Sequence, residues 1–205
     1  MSFRTVCKFA PFNRDVELDL ADRNLMHKRL MSLFPDGLGS NPRQAINLLF
    51  VVDPINAELL LQSDLKPDVL PLLDARDKYF SKAVTKDLDS VGLQFDTGDV
   101  INFTFWFAAL KRDSKSQKRV AIESDNAICI KASEILSCAG LNISAISIID
   151  SQSVISKKRG INYLNAQLVG TGVVTDAEKL KSAIIKGIGS GRLWGSGMLV
   201  VTSLS

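Results

Sequence analysis

Histidine is nearly absent. The 205 residues hold one, His27. That excludes a zinc site built on two or three histidines and any H-E-x-x-H metalloprotease. A serine or cysteine triad would have to run through His27, and no G-x-S-x-G elbow supplies its nucleophile. No G-x-x-x-x-G-K-[ST] phosphate loop occurs. Cysteine is also scarce. Cys7, Cys129 and Cys138 cannot all pair and show no C-x-x-C spacing, as expected of reduced thiols in a cytoplasmic protein. No apolar run reaches the roughly 18 residues a membrane helix needs. The N-terminal MSFRTVCKFAPFNRD carries charges where a signal peptide places its apolar stretch, so no membrane partner is expected.

Neither sign of charge dominates: 25 Lys and Arg stand against 22 Asp and Glu, a net +3 with a pI near 8.8. This permits nucleic-acid binding without arguing for it, so the placement of the basic residues must decide. With 46% hydrophobic and 23% charged residues, the chain has the composition of a soluble globular protein able to bury a core.

The pattern of elements is mixed. Ser2 to Phe9 reads as a strand, and Asp22 to Phe34 as a helix with Asp22 as N-cap and Pro35 as stop. Ala45 to Val52 and Glu58 to Gln62 are apolar runs separated by the turn signal Asp53-Pro54-Ile55-Asn56. Leu65 to Lys86 is ambiguous, while Val100 to Ala109 is rich in aromatic and β-branched residues, as strands are. Val120 to Glu123 opens a second series. Asn126 to Ala139 reads as a helix stopped by Gly140, and Ile143 to Ile149 and Asn162 to Val174 as strands. Thr175 to Lys186 reads as a helix with a Thr175/Glu178 capping box, and Leu199 to Ser203 as a closing strand. The expectation is an α+β chain of two tandem ferredoxin-like (RRM-like) βαββαβ domains. The first spans residues 1–110, the basic connecting loop 111–119, and the second 120–205.

Three features carry chemistry. His27 falls on the flank of its helix, beside the apolar stripe of Met26, Leu30, Leu33 and Phe34, with Arg23 and Lys28 close in sequence. A flank imidazole between cations suits proton transfer near neutral pH; a semi-exposed histidine without a task is the plainer alternative. The run Gly187-Ile188-Gly189-Ser190-Gly191-Arg192-Leu193-Trp194-Gly195-Ser196-Gly197 follows a helix, whereas a dinucleotide fingerprint opens one. Its glycines let backbone N–H groups approach an anion. Finally, basic residues cluster at Lys111-Arg112, Lys115, Lys118-Arg119 and Lys157-Lys158-Arg159, with Lys186 and Arg192 at the glycine run. Such clusters neutralise phosphates, or are solvated loop charge.

The segment Leu25 to Pro35, LMHKRLMSLFP, resembles the L-H-x-x-L-x-x-L-F-P signature of the CasE family, the CRISPR-RNA processing endoribonucleases of type I-E systems. The resemblance continues along the chain. Phe50 followed by a hairpin and Leu61-Gln62-Ser63 is similar to that family's F-L-F-R…V-L-V-Q-S stretch. Phe103 to Ala109 followed by Lys118-Arg119-Val120 is similar to its aromatic strand and G-K-R-V motif. Ile130 to Gly140 resembles its W-L-x-R-K-x-x-x-x-G helix without the tryptophan and arginine. Gly187 to Leu199 resembles G-I-G-x-x-x-x-x-G-C-G-L-L.

The resemblance implies tandem ferredoxin-like domains and an endoribonuclease that binds the CRISPR repeat stem-loop and cuts at the 3′ base of the stem. No metal or cofactor takes part. The 2′-hydroxyl attacks the scissile phosphate, leaving a 2′,3′-cyclic phosphate and a 5′-hydroxyl. The implied partners are the pre-crRNA, the mature crRNA and other Cascade subunits. His27 is assigned the proton transfer, as base or as acid. Arg23, Lys28, Lys111 and Lys118 are candidates to stabilise the phosphorane. Asn24 stands where the family often has tyrosine, and Ser196 where it usually has cysteine. An amide can orient a hydroxyl or phosphate but cannot donate a phenolic proton.

RNA contacts are expected from Lys157, Lys158 and Arg159 along the stem and from the 111–119 loop, including Arg112, Lys115 and Arg119, near the scissile phosphate. At the glycine run they are expected from Lys186, Gly187, Gly189, Gly191, Arg192, Gly195 and Gly197. Trp194 is a ring that can stack on a base, whereas Phe107 sits in an apolar strand and reads as core. The competing reading is a hairpin-binding structural subunit without catalysis. A general RRM-like binder of single strands lacks its R-G-F-G-F-V-x-F strand signature.

Overall fold

Residues alternate between a buried and an open side along Phe3–Phe9, and Cys7 and Phe9 on the buried side set the first strand against a core. The computed structural model describes residues 2–74, 76, 78–88, 93–157 and 160–203. The elements of the amino-terminal part are β1 (Phe3–Phe9), α1 (Arg14–Ala21), α2 (Arg23–Met31), α3 (Pro42–Ala45), β2 (Leu49–Asp53), β3 (Glu58–Ser63), α4 (Leu70–Leu73) and β4 (Phe80–Asp87). There follow β5 (Val100–Ala108), β6 (Leu110–Arg112), β7 (Arg119–Ala121), α5 (Asp125–Cys138), β8 (Leu141–Ser156), β9 (Ile161–Val174), α6 (Ala177–Lys186) and β10 (Leu199–Ser203).

The chain divides into two units: Met1–Leu93 with Ile155–Ile161, and Gln94–Val154 with Asn162–Ser205. The first holds a sheet of order β2-β3-β1-β4 with antiparallel neighbours. The second holds a sheet of order β10-β5-β9-β8. In each, the first and third strands lie inside and the second and fourth at the edges. That is the ferredoxin-like arrangement, so the chain is a tandem of two such folds. In the first unit Met26 and Leu30 of α2 pack with Phe9, Phe50, Leu61 and Phe80. In the second, α5 buries Ile128, Ala132 and Leu136, and α6 buries Leu180, Ala183 and Ile184, each at the helical repeat.

Several boundaries differ from the sequence expectation. The sequence pattern puts Val100–Ala108 in the first domain, ending at 110; as β5 it pairs instead with β9 and β10. The fourth strand of the first sheet is β4, from a stretch whose exposed Lys82, Val84 and Lys86 hide its strand character. The connecting 111–119 segment lies within a hairpin, because β6 and β7 pair with Arg112 opposite Arg119. The helix of His27 ends at Met31. The Leu33 and Phe34 amides reach back to the Leu30 and Met31 carbonyls, tightening the final turn before Pro35. A helix not anticipated, α1, precedes it. At α6 the cap is Asp176, which accepts from the Lys179 amide, in place of Thr175.

Candidate active site

His27 stands on α2, whose N-terminus is capped by Asp22: the carboxylate accepts from the Asn24 amide at 3.0 Å. Arg23 and His27 are one turn apart, as are Asn24 and Lys28, so the four side chains fall in two adjacent columns of the helix surface. Arg23 is buried, Asn24 and His27 are half-buried and Lys28 is exposed. The structure therefore gathers these four candidates into one patch that runs from core to solvent.

A polar clamp fixes the opposite side of the helix. Arg29 donates from Nε to Asp19 at 3.0 Å and from Nη2 to Asp15 at 2.9 Å, tying α2 to α1. The buried Tyr79 hydroxyl donates to the same Asp19 oxygen at 2.9 Å, and the Arg29 guanidinium lies 4.9 Å from the Tyr79 ring centroid. Burial pushes the Tyr79 hydroxyl well above the usual phenol range, and the adjacent Asp19 charge adds to it. Burial pulls Arg29 down, but its bonds to Asp19 and Asp15 outweigh this and raise it. Sequence reasoning missed this cluster. The residues are 60 apart in the Asp19–Tyr79 pair, and no local pattern in the sequence joins them.

The remaining candidates lie on other elements. Lys111 and Arg112 are on β6, Arg119 on β7, and Lys115 and Lys118 in the turn between them, all exposed. The turn is shaped by Asp113, whose carboxylate accepts from the Ser116 amide and hydroxyl at 2.7 Å each. Those bonds, the backbone one first, hold Asp113 below the usual carboxylate range. Lys157 is exposed at the end of β8. Lys158 and Arg159 lie outside the described residues.

The glycine run folds into a tight structure. Arg192 donates to the Lys186 carbonyl at 3.1 Å, closing the end of α6, and Lys186 itself is exposed. Tyr163, Ser196 and Asn165 form a buried chain. The Tyr163 and Ser196 hydroxyls are 2.9 Å apart, Ser196 donates to Asn165 Oδ1 at 2.7 Å, and Asn165 Nδ2 donates to the Gly195 carbonyl at 2.9 Å. Gly191, at φ +78°, has no room for a side chain: a Cβ would sit 2.5 Å from the Tyr163 hydroxyl. Gly197, at φ +84°, would meet the Ile188 carbonyl at 2.5 Å. Gly187, at φ +67°, ends α6, Gly195 closes the short turn Arg192–Trp194, and Gly189 is exposed. Trp194 is half-buried and Phe107 is core.

A second basic surface was not anticipated. On the open face of the first sheet Arg4 lies opposite Lys86 and Lys8 opposite Lys82, with Val6 and Val84 between them. Burial lowers Arg4 to about 10, and its Nη2 donates to Gln62 at 2.8 Å. The only sequence signal was a cation every fourth residue on two strands. Among the described residues no group of three or more His, Cys, Asp or Glu side chains is placed to hold a metal ion. Among them, too, no helix is long and apolar enough to cross a membrane.

A family model described as CRISPR associated protein matches residues 3–202. No curated protein matches the chain by sequence. Among solved structures, Thermus thermophilus Cse3 bound to an RNA representing a pre-cleavage complex aligns with a TM-score of 0.84 at 20% identity, covering 98% of each chain. Cas6e of Escherichia coli K-12 aligns with a TM-score of 0.67 at 20% identity over the whole of both chains. A chain of a CRISPR RNA-guided surveillance complex aligns at 0.59 and 19% identity, again over both whole chains. At these identities the likeness is one of fold.

Proposed function

Because the chain belongs to the CRISPR-associated protein family, we propose that it is an endoribonuclease that binds the CRISPR repeat stem-loop and cleaves pre-crRNA at the 3′ base of the stem. The observation that carries this reading is the α2 patch. The chain's one imidazole is half-buried, a helical turn from Arg23 and beside Lys28, on a helix clamped by Arg29 to Asp19. Transfer within RNA requires proton exchange at the attacking 2′-oxygen and the departing 5′-oxygen, and positive charge beside the phosphate. His27 moves the proton. Arg23 or Lys28 stabilises the added phosphate charge, with Lys111 and Lys118 as the other candidates. Asn24 orients the 2′-hydroxyl or a phosphate oxygen. The 2′-oxygen forms the new P–O bond as the 5′-oxygen leaves with a proton, giving a 2′,3′-cyclic phosphate and a 5′-hydroxyl.

Lys157 to Arg159 supply contacts along the stem, the exposed β6–β7 hairpin those near the scissile phosphate, and Lys186 with the glycine run further RNA contacts. The solved structures described as Cse3 bound to RNA and as a CRISPR RNA-guided surveillance complex support RNA and the other Cascade subunits as partners; the compartment this reading assigns is the cytoplasm. Asn24 favours one second reading, a structural subunit that holds the hairpin without cutting it.

The experiment is a cleavage assay in EDTA with the cognate hairpin and a copy carrying one 2′-deoxy substitution before the cut. Cleavage of the all-RNA hairpin alone supports the enzyme. Tight binding of both with cleavage of neither supports the structural subunit.

A further inference from the structure

Phe12 is fully exposed, at 100%, and sits at φ +57°. Two costs meet at this residue: a phenyl ring left in water, and a backbone region that bulky side chains rarely adopt. The segment is held in place from both ends. The Ala10 amide donates to the Tyr79 carbonyl at 3.0 Å. Asn13 caps α1 by accepting from the Val16 amide at 3.0 Å, and its Nδ2 donates to the Lys78 carbonyl at 2.9 Å. The fold therefore imposes the outward ring, and strain retained at an exposed position points to use.

The surroundings identify the use. Phe12 lines a cleft of about 620 Å³ with Asn13, Arg14, Asp15, Arg76 and Lys78. Asp15, the one carboxylate among the described lining residues, is engaged by Arg29 at 2.9 Å. Arg14, Arg76 and Lys78 have no ion-pair partner among the described residues. A protein anchor needs a broad apolar surround, and among the described lining residues only Ala10 and Pro11 provide any. A lone ring among cations is the arrangement that takes a nucleobase on its face and a phosphate at its rim.

We propose that the Phe12 loop is a binding site for an unpaired nucleotide of RNA, the base stacking on Phe12 and its phosphates met by Arg14, Arg76 and Lys78. This rests on the RNA-binding reading above and extends it from the paired stem to a single-stranded segment flanking it. Phe12 lies outside the α2 patch and takes no part in the chemistry.

The test uses the full chain and two RNAs: the repeat hairpin with blunt ends, and the same hairpin with unpaired tails containing 2-aminopurine. The wild type is expected to bind the tailed RNA about tenfold more tightly than the blunt one and to quench the 2-aminopurine. Phe12→Ala should abolish both effects while binding the blunt hairpin with wild-type affinity, and Phe12→Trp should keep both. An unchanged tail preference in Phe12→Ala overturns the proposal and leaves the RNA-binding reading standing. So does a variant that keeps the tail preference but loses association with Cascade subunits, which would make the ring a protein anchor. Failure of the wild type to bind either RNA overturns the parent reading, and this one with it.

Discussion

Asp19 and Arg29 are joined at 3.0 Å across the α1–α2 pair, with the carboxylate side chain only 4% exposed and the guanidinium 30% exposed. Because Tyr79 donates to the same oxygen, Asp19 is the hub on which the His27 helix is seated. Asp19→Ala leaves a guanidinium and a buried hydroxyl short of a partner, so a loss of about 3 kcal/mol is expected. Tyr79→Phe removes one bond and should lose about 1 kcal/mol. Urea denaturation of the two variants checks the ranking; equal losses would remove Asp19 from the hub.

Ser196 is fully buried between Tyr163 and Asn165. Ser196→Val removes the hydroxyl that bonds Tyr163 and Asn165 and should destabilise the second unit by about 2 kcal/mol. Ser196→Cys keeps a weak donor and acceptor and should lose less than half as much. Thermal melts of both variants compare them directly.

The β6–β7 hairpin projects Lys111, Arg112, Lys115, Lys118 and Arg119 into solvent. If its cations meet phosphates, each neutral substitution flattens the plot of log affinity against log salt by about 0.7 to 0.9 per lost contact. Lys111→Ala and Lys118→Ala are each expected to do so, as measured by anisotropy titrations across salt concentrations. An unchanged slope would mark that lysine as solvated charge.

Cys7 is wholly buried, and burial pushes its thiol from 9.0 up to about 12. The folded chain thus keeps a proton that the unfolded chain releases. The stability this supplies is complete below pH 9 and declines as pH rises towards 12. Between pH 9 and 10 the Cys7 contribution should fall by about 1 kcal/mol, and Cys7→Ala should remove that part of the slope. Denaturation curves at the two pH values measure it.

The His27 helix was legible because its signals are local: Asp22 as cap, Pro35 as stop, and Met26 and Leu30 on a buried stripe. The ferredoxin-like tandem was legible from element order, but the membership of one strand was not. Val100–Ala108 announces itself as a strand, yet its partners, β9 and β10, lie far along the chain. An edge strand such as β4, with exposed lysines on one side, resembles a loop. The Asp19–Arg29–Tyr79 cluster and the Phe12 cleft depend on residues brought together only by folding.

The central claim is that His27 moves the proton in RNA cleavage. The most direct measurement compares wild type and His27→Ala for both single-turnover cleavage and affinity on the cognate hairpin. The account predicts that cleavage falls by at least 100-fold, on the scale expected for a lost general acid or base, with affinity unchanged within about twofold. Cleavage by His27→Ala at the wild-type rate would contradict it.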